Sequence, residues 1–263
     1  MSRRLLKFLL PVVVGVLALL LWYYLHFAIV ADNRFLLPRP DEILAAFTEH
    51  RTELLQAAAN TAKGALWGFG LAVAVSFALA LGLSLSPLVR VSFYPYLMIL
   101  QMTPVIVFAP ILVLWVGAGL KSVVVITFLI CFFPLVVNTT QGLISTDRTL
   151  LELFRLYRAS RWRELRLLRV PSALPYFFAG LRIAATLAPI GALVGDYTAG
   201  NSGNDGGGLG FLTLIYSSQA KYSALFATAA ITCALGFIFV AGVVSLSWLA
   251  LHRWHDSYER SDL

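Results

Sequence analysis

Between Arg148 and Arg169 the chain places seven arginines among leucines and aromatic residues, and the chemistry open to such a segment is recognition. A guanidinium forks onto carboxylates and keeps its charge at any physiological pH, so it binds but does not trade protons. The stretch runs from Asp147 to Val170-Pro171, with Phe154, Tyr157 and Trp162 interleaved. That pattern suits a helix docking on a partner better than a solvated tether. Catalytic chemistry is harder to find. The histidines His26, His50, His252 and His255 lie at the ends of apolar runs or outside them, so none sits at depth beside a nucleophile. There is no His-Glu-x-x-His motif, no periodic arginine helix and no Gly-x-x-x-x-Gly-Lys-[Ser/Thr] loop, so the chain is not expected to hydrolyse ATP itself. Asp196, Asn201, Asn204 and Asp205 match no calcium-ligand spacing, and no metal site is expected. A transport component, and not an enzyme, is the expectation.

The elements that hold the arginine segment are apolar. Of 263 residues 59% are hydrophobic and only 13% charged, with a mean hydropathy of +0.82. Soluble domains carry about 25% charged residues, so this is an all-α polytopic membrane protein. Its net charge of +7 is explained by orientation in a membrane and implies no nucleic acid. Cys131 and Cys233 both fall in apolar runs, which argues against a disulfide framework. Six runs are long enough for a hydrocarbon core of about 30 Å: 8–30, 57–85, 92–116, 122–144, 173–195 and 223–250. The first has no cleavage site and reads as a retained anchor. With both termini in the cytoplasm, the inner segments hold thirteen Lys and Arg and the outer segments six, with Arg182 left in a span. That asymmetry puts the arginine segment, 147–171, inside.

The outer segment 31–56 contains Pro38-Arg-Pro40-Asp41, where Asp41 is expected to cap a short surface helix that presents Ile43, Leu44 and Phe47 on one face. The other long outer segment, 196–221, is glycine-rich and reads as a flexible connection at the outer mouth. Within the second span Gly64, Gly68, Ala72 and Ser76, continued by Ala80 and Ser84, form one ridge at i+4 spacing for close helix approach. In the third span Pro104 predicts a kink, with Gln101, Met102 and Thr103 beside it. Gln101 and Thr103, and Asn138 four residues after Pro134, either line a translocation path or bond neighbouring helices. Asp196, where the fifth span meets the outer loop, either contacts substrate or is a solvated carboxylate.

The arginine segment resembles the Glu-Ala-Ala loop of bacterial binding-protein-dependent ABC importers with the type I permease fold. Glu152 takes the glutamate position, Leu153 and Phe154 replace the alanines, Arg158 replaces the glycine, and Leu168-x-Val170-Pro171 closes the motif. The flanks Ala159-Ser160-Arg161-Trp162, Pro171-Ser-Ala-Leu-Pro175-Tyr176 and Ala179-Gly-Leu-Arg182 look like the nitrate, sulfonate and taurine permease group. Within it, Ile190-Gly191-Ala-Leu-Val-Gly195-Asp196 followed by Gly208-Leu-Gly210-Phe is most similar to the branch importing pyrimidine precursors of thiamine, which usually has Glu at the Asp196 position.

The resemblance implies a permease in the bacterial inner membrane, paired with a second permease copy, two cytoplasmic ATP-binding subunits and an extracytoplasmic substrate-binding protein. ATP and magnesium would be used by the partner, with no cofactor on this chain. Residues from about Leu151 to Ser160 would form the coupling helix, with Glu152, Leu153, Phe154, Tyr157, Arg158, Ala159, Ser160 and Arg161 at the ATPase contact. The missing glycine matters, because an arginine in a left-handed bend costs about 1 kcal/mol or more. Either the bend differs, or Arg158 makes a contact that offsets the strain. A neutral or weakly charged heteroaromatic solute, stacking on Trp67, Phe108 or Trp115, is the expected cargo, and a sulfonate, taurine or nitrate the alternative.

Overall fold

The computed structural model describes residues 3–28, 36–200 and 207–251. They form α1 (Arg3–Ala28), α2 (Pro40–Glu49), α3 (Arg51–Leu85), α4 (Pro87–Met102), α5 (Val105–Val116), α6 (Leu120–Ile144), α7 (Arg148–Leu156), α8 (Arg161–Glu164), α9 (Val170–Ala199), α10 (Leu209–Ser218) and α11 (Tyr222–Leu251). A π turn, Leu165–Arg169, joins α8 to α9, and there is no strand among the described residues. Arg34, Phe35, the stretch 201–206, His252, Arg253, His255 and Arg260 lie outside the described residues.

Five helical runs are long and apolar enough to cross a membrane: α1 from Leu9, α3, α6, the run from α8 through α9, and α11. A sixth arises if α4 and α5 are taken together, although they meet at 97°. The sequence predicts one kinked span over 92–116, and the structure instead breaks it in two. Thr103 is extended, at φ −69° and ψ 124°. Proline sterics push the preceding residue out of the helical region, and Pro104 has no N–H to continue the ladder. Elsewhere α3 begins at Arg51, ahead of the expected 57. The expected loop 196–221 contains the last turn of α9 and the whole of α10. Asp41 does not cap α2. Arg39 holds the N-cap position, its N–H donating to Glu42 Oε2 at 2.9 Å, while Asp41 pairs with the Arg39 guanidinium at 2.8 Å.

α6 is the central helix, clasped between α3 and α9. The ridge of Gly64, Gly68, Ala72, Ser76, Ala80 and Ser84 is buried along its whole length. A Cβ placed on Gly64 or Gly68 would stand 2.5 Å from a side-chain carbon of Val123 or Thr127. On the opposite side a Cβ on Gly195 would stand 2.7 Å from Val123 Cα, and one on Gly191 3.0 Å from Thr127 Cα. The same two residues of α6 are thus gripped from both flanks by backbones without side chains. In lipid, where burial from water drives nothing, such close contact is what holds helices together.

Four buried layers stack along α3, one of them joining Ala65, Val123, Ala192 and Ala199 between the middle and outer ones. The inner layer joins Ala80, Leu83, Val136, Leu143, Leu165 and Ala173, and the middle one includes Ala72, Cys131, Leu135 and Ala184. The outer layer brings Leu54 and Ala57 of α3 to Leu209, Leu212 and Tyr216 of α10. α1 lies at the perimeter and is tied at its outer end. There Trp22 Nε1 donates to the Pro38 carbonyl at 3.0 Å, and buried His26 has Nδ1 2.6 Å from the Leu37 carbonyl.

Candidate coupling surface

The arginine segment is built as a helix on a stem. Asp147 accepts from the Thr149 N–H at 2.7 Å and starts α7, meeting one of the donors a helix N-terminus leaves open. α7 then ends in a Schellman motif. The Ala159 N–H reaches the Phe154 carbonyl at 3.0 Å and the Arg158 N–H the Arg155 carbonyl at 2.9 Å. This closure requires a left-handed residue between them, usually glycine. Here that residue is Arg158, at φ 48°. Of the two options open from sequence, a different bend is excluded, since the left-handed conformation is kept. Ser160 then starts α8, its Oγ accepting from the Arg163 N–H at 3.4 Å.

The stem is an ion pair that the sequence reading missed. Arg169 contacts Glu164 Oε1 through Nη2 at 2.6 Å and Nε at 2.7 Å, and Nη1 lies 3.5 Å from the Ser84 carbonyl at the end of α3. An α-helix brings i+3 and i+4 residues together, so a spacing of five gave no signal. The π turn supplies that register. Leu165 and Leu168 are buried beside the pair, fixing the segment to the inner core layer.

On this stem α7 shows two faces. Leu151, Arg155 and Ala159 point toward the α3–α4 elbow, where all three line one cavity. Leu153, Leu156 and Tyr157 point away, the last two each 80% exposed. Glu152, Arg158, Ser160 and Arg161 are exposed around them, while Phe154 and Ala159 are half-buried. Apolar and aromatic knobs with arginines beside them have the composition of a binding hot spot.

The other predicted site residues do not converge. Gln101 is exposed and Thr103 half-buried at the break between α4 and α5. The Asn138 amide donates to the Pro134 carbonyl at 2.7 Å, and the residue backs onto Gly180 on the α6–α9 seam. Asp196 is not a solvated carboxylate. It is buried, and its Oδ2 accepts from Thr61 Oγ1 at 2.5 Å, while the Leu209 N–H donates to the same Thr61 oxygen at 2.8 Å. Asp196 therefore straps α9 to α3 and to the start of α10. A Cβ on Gly208 would collide with the Asp196 carboxylate, and one on Gly210 with the Leu193 carbonyl and Tyr197 N of the α9 backbone. Glycines at i and i+2 around an apolar residue were the available sequence signal for such close approach.

The family described as binding-protein-dependent transport system inner membrane component matches residues 70–256. A probable ABC transporter permease protein of Haemophilus influenzae is 34% identical over 254 residues, 97% of this chain and 98% of its own. The formylaminopyrimidine transport permease protein ThiX of Halalkalibacterium halodurans is 41% identical over 160 residues, 61% of this chain and 62% of its own. The riboflavin transport system permease protein RibX of Chloroflexus aurantiacus is 39% identical over 171 residues, 64% of each chain. The match thus spans under two thirds of these last two relatives. Among solved structures, an amino acid ABC transporter superposes with a TM-score of 0.60 at 15% identity, covering 80% of this chain and 97% of that one, which shows the type I permease fold. The chain belongs to the binding-protein-dependent transport system inner membrane components, as a multi-pass permease subunit of an ABC importer.

Proposed function

We propose that this permease carries a small neutral or weakly charged heteroaromatic solute, with a pyrimidine precursor of thiamine as the first candidate. The observation that carries this reading is the pair of relatives at 41% and 39% identity, both named for a heteroaromatic cargo. Two copies of the chain form the pathway, two ATP-binding subunits dock beneath them, and a binding protein delivers cargo to the outer mouth. ATP and magnesium belong to those subunits, and this chain binds no cofactor. The outward side of the segment, with Leu153, Leu156, Tyr157 and Arg158 and with Glu152 and Ser160 beside them, enters a groove on the ATPase. Gln101 and Thr103 border the path, because the α4–α5 break leaves backbone groups that lipid cannot satisfy.

The test is uptake by proteoliposomes holding the chain, its co-purified ATPase and its binding protein. Formylaminopyrimidine uptake that needs internal ATP and survives collapse of ion gradients supports the proposal. Uptake of taurine, alkyl sulfonates or nitrate in its place replaces the cargo assignment, and uptake driven by an ion gradient removes the coupling reading.

A further inference from the structure

Behind α7, on the side away from the proposed ATPase contact, lies a cavity of about 580 Å³ between the α3–α4 elbow and the coupling segment. Arg90, Arg155, Arg161 and Arg169 line it, against a single acidic residue, Glu164. Arg169 is committed to Glu164. Arg90, Arg155 and Arg161 make no side-chain ion pair among the described residues. Three guanidiniums converging without a counter-charge repel one another, and a bound anion relieves that repulsion.

A second feature adjoins the first. A groove of about 300 Å³ shares Arg90 and Ile144 with the cavity and continues past Val91, Tyr94, Pro95 and Gln141. Arg90, Val91, Tyr94 and Pro95 climb α4 from the cytoplasmic elbow toward the membrane interior beside Gln141 and Ile144 of α6, and all but Arg90 and Gln141 are apolar or aromatic. The combined shape is amphipathic, with a basic socket at the inner membrane surface and an apolar channel rising from it into the hydrocarbon. Basic pockets between spans on the cytoplasmic side recognise acidic headgroups. A free phosphate would fill the socket and leave the channel unused.

We propose that this is a binding site for an anionic glycerophospholipid of the inner leaflet. Its phosphodiester sits among Arg90, Arg155 and Arg161, and the start of one acyl chain lies along Val91, Tyr94 and Pro95. Arg90 belongs to α4, Arg155 to α7 and Arg161 to α8, so the lipid bridges the elbow and the coupling segment and stiffens α7 on its stem.

The experiment is lipid binding to the full chain in mild detergent, followed by native mass spectrometry with phosphatidylglycerol and phosphatidylcholine. Phosphatidylglycerol is expected to bind at least about tenfold more tightly. Arg90→Gln with Arg155→Gln should weaken it roughly 25-fold, at about fivefold per arginine. Arg90→Lys with Arg155→Lys, which keeps the charge, should restore most of that loss. Val91→Trp, which fills the channel and leaves every arginine in place, should also displace the lipid. Equal binding of the two lipids, or unchanged phosphatidylglycerol binding in the glutamine pair, overturns the proposal. If millimolar inorganic phosphate strips the lipid while Val91→Trp does nothing, the socket serves a free anion and the lipid assignment falls. Should the glutamine pair not fold, Val91→Trp and the lysine pair still decide.

Discussion

Replacing Arg158 by glycine separates two effects that this residue combines. The backbone effect favours the change. A non-glycine residue in the left-handed region costs about 1–2 kcal/mol, and glycine's greater unfolded-state entropy returns about 0.5–1 kcal/mol of that. At φ 48° the net relief is therefore about 0.5–1 kcal/mol. Local opening of α7 should become roughly two- to fivefold rarer. The side-chain effect opposes it. Arg158 is exposed, and if it meets a carboxylate on the ATPase the charge-assisted contact is worth about 1.5–3 kcal/mol. That corresponds to roughly a tenfold to hundredfold loss of ATPase affinity, which outweighs the relief. Hydrogen exchange over 148–159 reads the first effect, and titration of the purified ATPase reads the second. Arg158→Ala is the control, since it removes the charge and keeps the strained bend. It should lose affinity as glycine does without gaining protection. Glycine binding the ATPase as tightly as arginine, with transport intact, would refute the charge contact. Glycine that lowers protection would refute the strain.

Other perturbations test the frame that carries α7. Gly68→Leu should cost about 1–3 kcal/mol by overpacking against Thr127 and give aggregated protein on size exclusion, while Gly70→Ala, which meets nothing within 4 Å, should behave as wild type. Glu164→Gln should cost about 2 kcal/mol, between exposed and fully buried ion pairs, and increase proteolysis within 147–171. Asp196→Ala should cost about 1.5–3 kcal/mol and free α10, read as new labelling of a cysteine placed at Thr213. Tyr216 donates to Glu53 Oε2 at 2.8 Å, and burial together with that carboxylate pushes its hydroxyl above the ordinary tyrosine value. The fold holds this proton more tightly than the unfolded chain does. Its stabilisation is therefore complete below about pH 10 and lost as pH rises through the higher folded value. Tyr216→Phe should cost about 1 kcal/mol at neutral pH and remove that alkaline step from a melting profile.

What the sequence disclosed followed from local regularity. The α3 ridge was readable because i+4 spacing survives intact along a straight helix, and all six of its small residues are buried. The left-handed position in the coupling segment was readable because the motif marks it by spacing, even with arginine in place of glycine. The features that escaped depend on departures from regularity or on distance along the chain. Glu164 and Arg169 meet only because a π turn changes the register. Thr61 and Asp196 are 135 positions apart, and a carboxylate at a helix end looks solvated until α10 is folded over it. The α4–α5 break was half visible. Pro104 announced an interruption, but a 97° turn depends on how each half packs, which proline sterics alone do not set.

These contacts divide the chain into a stiff part and a compliant one. α3, α6 and α9 meet through glycines whose absent side chains leave no room for sliding: Gly64 and Gly68 on one flank of α6, Gly191 and Gly195 on the other. The coupling segment is joined to that block twice, through Leu165 in the inner layer and through Arg169 to the end of α3. A force on α7 therefore reaches the block as a whole and cannot be absorbed by local repacking. α4 buries no residue within the chain and α5 buries only Ala109, so the broken pair can shift against the block at small cost in intrachain packing. Relative movement consequently concentrates at the Thr103–Pro104 break. That is where Gln101 and Thr103 stand, and it lies in the same helix pair whose cytoplasmic start carries Arg90. An anionic lipid at Arg90 that stiffens α7 also pins the base of this compliant pair.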